Sequence, residues 1–316
     1  MVRVRLLLVI AVLAVATAAD AATTCDFQGA GATMRLIADC TTDSTIIIPD
    51  GVTLDGANLT ITAIDPVGGH FLGAVVANGG RTASILHTRI TTQALADVCD
   101  GGAARLRGIY FDGTAGVIGG NIVTDLNQGE SRCQEGNAIE VRSLVDGDPV
   151  NVEVGQNVVT GFQKSGVVVT GNVDAWIHDN QIGASAAQSN LAANGVQVGY
   201  GAWALIERNR IAGNSWLGYP MTLDAATAIL LYRAVSGTTV SGNIVEGNAD
   251  IGIYIASDGA VVERNELTDN GPDLGGYDIG IGDYGVGNRV DRNTVRGYQV
   301  PYDSLNGAAS KTIALK

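Results

Sequence analysis

The sequence predicts an all-β solenoid, in which short strands wind coil upon coil into parallel sheets around one shared core. Three observations carry that reading: a recurring asparagine, short apolar-alternating segments ahead of it, and a glycine-rich composition. The stretches "IERNRIAGN", "VSGNIVEGN" and "VERNELTDN" each hold an apolar residue, two variable residues, an Asn, and a second Asn five positions later. Aligned on the first Asn, the series runs through Asn121, Asn157, Asn180, Asn209, Asn243, Asn265 and Asn293, with spacings of 36, 23, 29, 34, 22 and 28. A minimum near 22 with variable additions is what a solenoid with loops inserted at one corner gives.

Each element follows from that unit. One strand precedes the Asn: "GIYF", "AIEV", "GVVV", "GVQV", "AILL" and "GIYI", starting at positions 108, 138, 166, 195, 228 and 252. Another runs up to and past it, as in "AWIHDNQI" and "ALIERNRI". Strands this short bury their apolar side only when stacked on the next coil. Composition agrees: 43 Gly, 6 Pro and few aromatics favour short strands and tight turns. No segment after the N-terminal run keeps a helical period. At a tight corner an Asn tolerates a left-handed backbone, and its amide can bond the Asn one coil on to build a ladder. The second Asn, at 214, 248 and 270, marks the next corner.

With these "NxI" units and the entry "STIIIPDGVTLDGANLTITA" (44–63), the chain resembles the right-handed parallel β-helix proteins of the pectate-lyase-like superfamily. The resemblance covers roughly residues 44–302 and implies a single-stranded right-handed parallel β-helix of about nine coils with an Asn ladder. At ~4.8 Å per coil the rod would be roughly 40–45 Å long. It implies no single activity, because the superfamily holds lyases, hydrolases, epimerases and proteins without chemistry. The expected division is a signal peptide (1–21), an N-terminal cap (22–43), the rod (44–302) and a C-terminal tail (303–316).

The signal peptide is read from Arg3 and Arg5, an apolar run from Leu6 too short to span a bilayer, and Ala19-Asp20-Ala21 as a cleavage context. The chain is therefore expected to be secreted or extracytoplasmic. Cleavage would take the formal charge from -13 to -14, since two Arg and one Asp leave. Such acidity argues against nucleic acid or a membrane surface as partner. The four Cys suit an oxidising compartment, and 25–40 with 99–133 is the economical pairing among three connectivities.

Chemistry is expected beside the strand that follows the insertions. Extra residues fall at 126–136, 184–194, 215–227 and 271–278, and loops stacked at one corner wall a groove along one sheet. Such a groove suits an extended glycan, with Gln197, Tyr200, Trp216, Tyr219 and Tyr277 as substrate-binding residues. With Ile109, Ile139, Val167, Val196, Ile229 and Ile253 inward, Tyr110 and Glu140, then Asp112, Arg142 and Tyr232, face the groove, with Tyr254 and Arg233 nearby. These seven are the candidate catalytic residues. In a lyase or epimerase, Arg142 or Arg233 counters a uronate carboxylate and a Tyr moves the proton. In an inverting hydrolase, Asp112 and Glu140, roughly 8 Å apart, serve as acid and base.

Departures from the enzymes matter equally. The Arg-x-Pro-x-x-Arg stretch of pectate lyases, the Asp-Asp and Gly-His-Gly motifs of polygalacturonases and the Asp-Pro-His-Asp motif of alginate epimerases are missing. A non-catalytic envelope or surface scaffold is therefore the alternative. Calcium is the one cofactor left open, although "DGDP" (146–149) lacks the spacing of a calcium loop and reads as a turn. The stripe His178, Glu207, Glu263 and Asp291 reads as a plain solvated face. Asp283 falls where other coils are apolar, and a local bulge is expected there, because an unpaired buried charge is costly.

Overall fold

The computed structural model describes residues 23–129, 133–185, 191–216, 225–271, 277–305 and 311–315. The expected signal peptide and Tyr219 lie outside the described residues. Successive coils contribute three short strands each, for example Arg107–Asp112, Ala115–Gly119 and Ile122–Thr124. The first strand of each coil joins a ten-stranded sheet; the other two join a second, bent sheet. Apart from the N-terminal hairpin Phe27–Ala30 with Thr33–Leu36, which is antiparallel, all pairings are parallel. About nine coils were expected; the ten-stranded sheet runs from the short Ile46–Ile48 to Val300–Ser304. The chain then returns to the bent sheet, where Lys311–Leu315 pairs with Arg289–Arg296.

Register is what makes the rod. Ile109 sits beside Ile139, then Val167, Val196, Ile229, Ile253 and Ile281, one per coil. All seven are fully buried. A one-residue slip would turn this whole row to solvent, so the burial of the row fixes the pairing.

The ladder forms as expected. Each Asn from 121 to 265 donates its side-chain amide to the next Asn carbonyl oxygen, at 2.9–3.0 Å. That same oxygen also accepts the preceding coil's backbone N–H. Thr88 takes the ladder position one coil earlier and donates its backbone N–H to Asn121. One expectation is corrected: the left-handed residue is not the Asn but its predecessor, as at Gln156, Asp179, Arg208, Arg264 and Arg292. The turn is made one residue early, which leaves the Asn free to point inward.

Both expected disulfides, Cys25–Cys40 and Cys99–Cys133, are present. The bulge expected at Asp283 is not: Ile253 pairs with Ile281 and Ile255 with Asp283 without a slip. Asp283 is 1 % exposed and is satisfied instead by Asn288 Nδ2 at 2.6 Å and the Tyr302 hydroxyl at 3.1 Å. Two donors at the end of the rod offset the desolvation that made a buried carboxylate unattractive on sequence.

Candidate functional site

The outer face of the ten-stranded sheet carries two adjoining hollows, of about 680 and 650 Å³, which share Gln134 and Lys164. Together they form a groove across the coils. The larger is lined by Trp216, Leu230, Tyr232 and Tyr254; the smaller by Arg105, Arg107, Glu140, Arg142, Gln197 and Tyr200. Strict alternation from the inward Ile109 row accounts for two cross-coil rows on this face. Tyr110, Glu140, Val168, Gln197, Leu230 and Tyr254 form one cross-coil row, and Asp112, Arg142, Thr170, Gly199 and Tyr232 the next.

Contacts within these rows are specific. Arg142 and Asp112 are register partners, and Nη2 donates to Oδ2 at 2.6 Å. The Tyr110 hydroxyl donates to the same oxygen at 2.8 Å. The Tyr110 ring lies under both Arg107 and Arg142, with guanidinium carbons 4.4 and 5.3 Å from its centroid. Burial, then the hydrogen bond to Asp112, pushes the Tyr110 hydroxyl well above its ordinary pKa. It holds its proton as a donor and is poorly suited to act as a base. Arg233, in a left-handed conformation, stacks over Tyr232 at 5.2 Å, and Tyr200 meets Tyr232 at 5.4 Å. Tyr254 meets Tyr284 edge to face. Tyr277 packs against Ala225, Ile251 and Ile279.

Arg107 is the residue that sequence reasoning missed. Counting alternately from Ile109 puts Arg107 inside the core, yet its guanidinium bonds Glu140 from two nitrogens, at 2.7 and 3.2 Å. Gly108 is the reason: a Cβ there would sit 2.8 Å from Val123 in the core, so residues 108 and 109 both face inward. The same small residue recurs as Ala138, Gly166, Gly195 and Ala228, each preceded by a polar residue; Asn137, Ser165 and Asn194 line the groove, and the buried Thr227 donates its hydroxyl to Asn194. That Gly/Ala row was the available signal. Asn137 gives Glu140 a third hydrogen bond, at 2.7 Å, and Asn194 bonds Gln197 at 3.1 Å. Glu140, 6 % exposed with both oxygens engaged, is a fixed ion-pair partner and not a carboxyl open to a substrate.

Three buried polar atoms of residues that line the smaller hollow, Asn137 Oδ1, Arg142 Nε and Ser165 Oγ, have no hydrogen-bond partner among the described residues. Its charge is also distinctive. Among the described residues, Arg105, Arg107, Arg142 and Lys164 stand beside Asp112 and Glu140, four positive groups to two negative, in a chain of net charge -13. Among the described residues the one convergent set of potential metal ligands is Cys99, Cys133 and Glu135, and its two sulfurs are joined in a disulfide. No described helix is long and apolar enough to cross a membrane.

One wall loop is held by Asp250, which is 4 % exposed. It accepts from Ser215 Oγ and the Trp216 and Ala226 backbone N–H groups, clamping both stems of the insertion. Burial raises its pKa despite these bonds. The folded state therefore binds this proton more tightly than the unfolded chain. The resulting stabilisation is full below the ordinary carboxylate pKa of about 4 and is lost as pH rises through the raised value. Melting temperatures measured against pH should show the natural protein falling relative to Asp250→Asn across that window; parallel curves would remove Asp250 as the cause.

These features define the fold, a right-handed parallel β-helix. Residues 151–300 match the family described as right handed beta helix region. Solved structures with a similar course include the Dettilon tailspike protein gp208, at 16 % identity and a TM-score of 0.48, covering 89 % of this chain and 56 % of that one. A double mutant of the periplasmic alginate epimerase AlgG follows at 13 % and 0.46, covering 92 % and 80 %. The A-module of the Azotobacter vinelandii mannuronan C-5 epimerase AlgE6 gives 12 % and 0.43, covering 90 % and 81 %. The chain thus spans little more than half the length of the tailspike. No curated protein sequence matches it.

Proposed function

We propose that this is an exported protein that binds an extended anionic polysaccharide along the ten-stranded sheet, with lyase or epimerase chemistry as the reaction its groove best supports. The observation that carries the reading is the cationic hollow of Arg105, Arg107, Arg142 and Lys164 on an otherwise acidic chain. Attraction for a polyanion is local here, since a Debye length of about 8 Å in physiological salt screens the rest of the surface. Arg142 holds Asp112 through Nη2 and its side chain is still 24 % exposed, so the exposed part of the guanidinium can meet a uronate carboxylate without breaking the ion pair. Tyr200, Tyr232 and Tyr254 then supply rings for the sugar's apolar face, and Tyr232 or Tyr254 a phenol for the proton. Inverting hydrolysis is less well supported, because Glu140 is held by Arg107 and Asn137. The two disulfides agree with export to an oxidising compartment.

Affinity electrophoresis in polyuronate gels tests binding. Retardation should weaken with salt and in Lys164→Gln and Arg142→Gln; mobility unchanged by polyuronate at low salt would overturn the reading. Mass spectrometry of the glycan in heavy water then separates the chemistries. Unsaturated ends mean a lyase, deuterium uptake without cleavage an epimerase, and a bound but unaltered glycan the non-catalytic scaffold.

A further inference from the structure

The opposite side of the rod carries a second surface with a different charge. The stripe expected to be a plain solvated face is not one: His178 is 4 % and Glu263 8 % exposed, the latter gathering Arg264, Arg289 and Arg292. Beside His178, on the outer face of the bent sheet, lies a shallow hollow of about 380 Å³. Two of the chain's three tryptophans, Trp176 and Trp203, line it, with Asn151, Glu153 and Asp174. Asp174 pairs with Trp203 across the sheet and Trp176 with Leu205. The tryptophans are therefore one coil and two residues apart, roughly 8 Å between Cα atoms.

Trp176 is built into place. Its ring stacks on His178, with centroids 3.7 Å apart and planes at 25°, and its Nε1 donates to Glu207 at 2.9 Å. His178 is gripped in turn by Asp179 at 2.8 Å and Glu153 at 3.2 Å. Room for that imidazole comes from Gly155 on the neighbouring coil, where a Cβ would stand 2.6 Å from Nε2. Yet Trp176 remains 40 % exposed. Stacking, two hydrogen bonds from His178 to carboxylates and a required glycine hold an indole whose other side faces the hollow. Folding gains little from fixing an exposed ring, whereas a rigid aromatic surface lowers the ordering cost of binding.

We propose that this face is a second carbohydrate site, and that it takes a neutral pyranose chain. Charge selects the occupant. The lining has two carboxylates and no Lys or Arg, so a polyuronate is repelled, while sugar hydroxyls have acceptors in Glu153, Asp174 and Asn151. Among the described residues the side chains of Asp174 and Asn151 have no partner of their own, and Asn151 is exposed. The indoles offer electron-rich faces to the weakly positive C–H groups of a pyranose ring. The site is independent of the groove and takes a neutral ligand where the groove takes an anionic one.

Tryptophan fluorescence reads this face directly. The full chain is titrated separately with cellohexaose, laminarihexaose and mannohexaose in high salt, where polyuronate attraction is screened. At least one neutral hexaose should shift the emission. Trp203→Ala should weaken its binding by about tenfold or more, as expected for loss of an aromatic anchor. Trp176→Phe, which keeps a ring on His178, should retain most of the affinity, and the groove variant Lys164→Gln should bind the hexaose like the natural protein. Binding of none of the three sugars, or an affinity unchanged in both Trp203→Ala and Trp176→Ala, would overturn the proposal. The second result would assign the signal to Trp216 in the groove. Failure of polyuronate binding would leave these outcomes untouched.

Discussion

Asn209→Ala should lower the free energy of unfolding by roughly 3–5 kcal/mol, a large share of the total stability of most domains. Asn209 is 1 % exposed. Its Oδ1 accepts from the Asn180 backbone N–H at 3.0 Å and from the Asn180 side chain at 2.9 Å. Its Nδ2 donates to Ile177 O at 2.9 Å and Asn243 Oδ1 at 3.0 Å. Alanine leaves Asn180 N–H and Ile177 C=O buried without these partners, each costing about 1–3 kcal/mol, and adds a small void. Asn209→Asp keeps the acceptor but sets a carboxylate oxygen against the Ile177 and Asn243 oxygens, so it should be at least as damaging. Urea unfolding measures both. Because each coil touches only its neighbours, a broken middle rung should also broaden the transition. A loss under about 1 kcal/mol with an unchanged slope would mean that the ladder is dispensable.

Much of this ladder was legible in the sequence because a solenoid writes its geometry as a period. The Asn corner, the inward row from Ile109 to Ile253 and the outward rows beside it all recur at fixed offsets within each coil. The site was legible only where strict alternation holds. Alternation put Tyr110 beside Glu140 and Asp112 beside Arg142 in neighbouring rows, as the register has them, but the partner of Glu140 was hidden, since two successive inward residues at 108 and 109 turn Arg107 out of phase. The corner was read one residue late for a related reason. A left-handed conformation at Arg208 or Gln156 carries no compositional mark, whereas the Asn beside it does. At Asp283 the cost of a buried charge argued for a bulge. The compensating donors, Asn288 and Tyr302, come from a turn and from a later strand, which a local pattern does not reveal.

The second large effect is expected at Arg107. Its guanidinium is 1 % exposed and also donates to the Gly102 and Arg105 carbonyls, at 3.0 and 2.9 Å. Arg107→Met removes the positive partner and leaves Glu140 as an uncompensated charge held by Asn137, so stability should fall by about 3–5 kcal/mol. Methionine fills much of the arginine's volume, which makes lost pairing and not a cavity the main term. Pairing Arg107→Met with Glu140→Leu removes both charges, and a good part of the loss should return, because a buried ion pair adds little over well-packed apolar groups. Chemical denaturation of the four proteins in this cycle gives the coupling energy, expected above about 1 kcal/mol. The cycle also bears on function. A carboxylate kept for acid–base work would make Glu140→Gln silent in stability and severe in glycan turnover. A carboxylate kept to hold Arg107, and through it residues 102–105 at the rim of the hollow, would make the same change destabilising. Polyuronate affinity would then fall along with stability, as the rim loses its anchor.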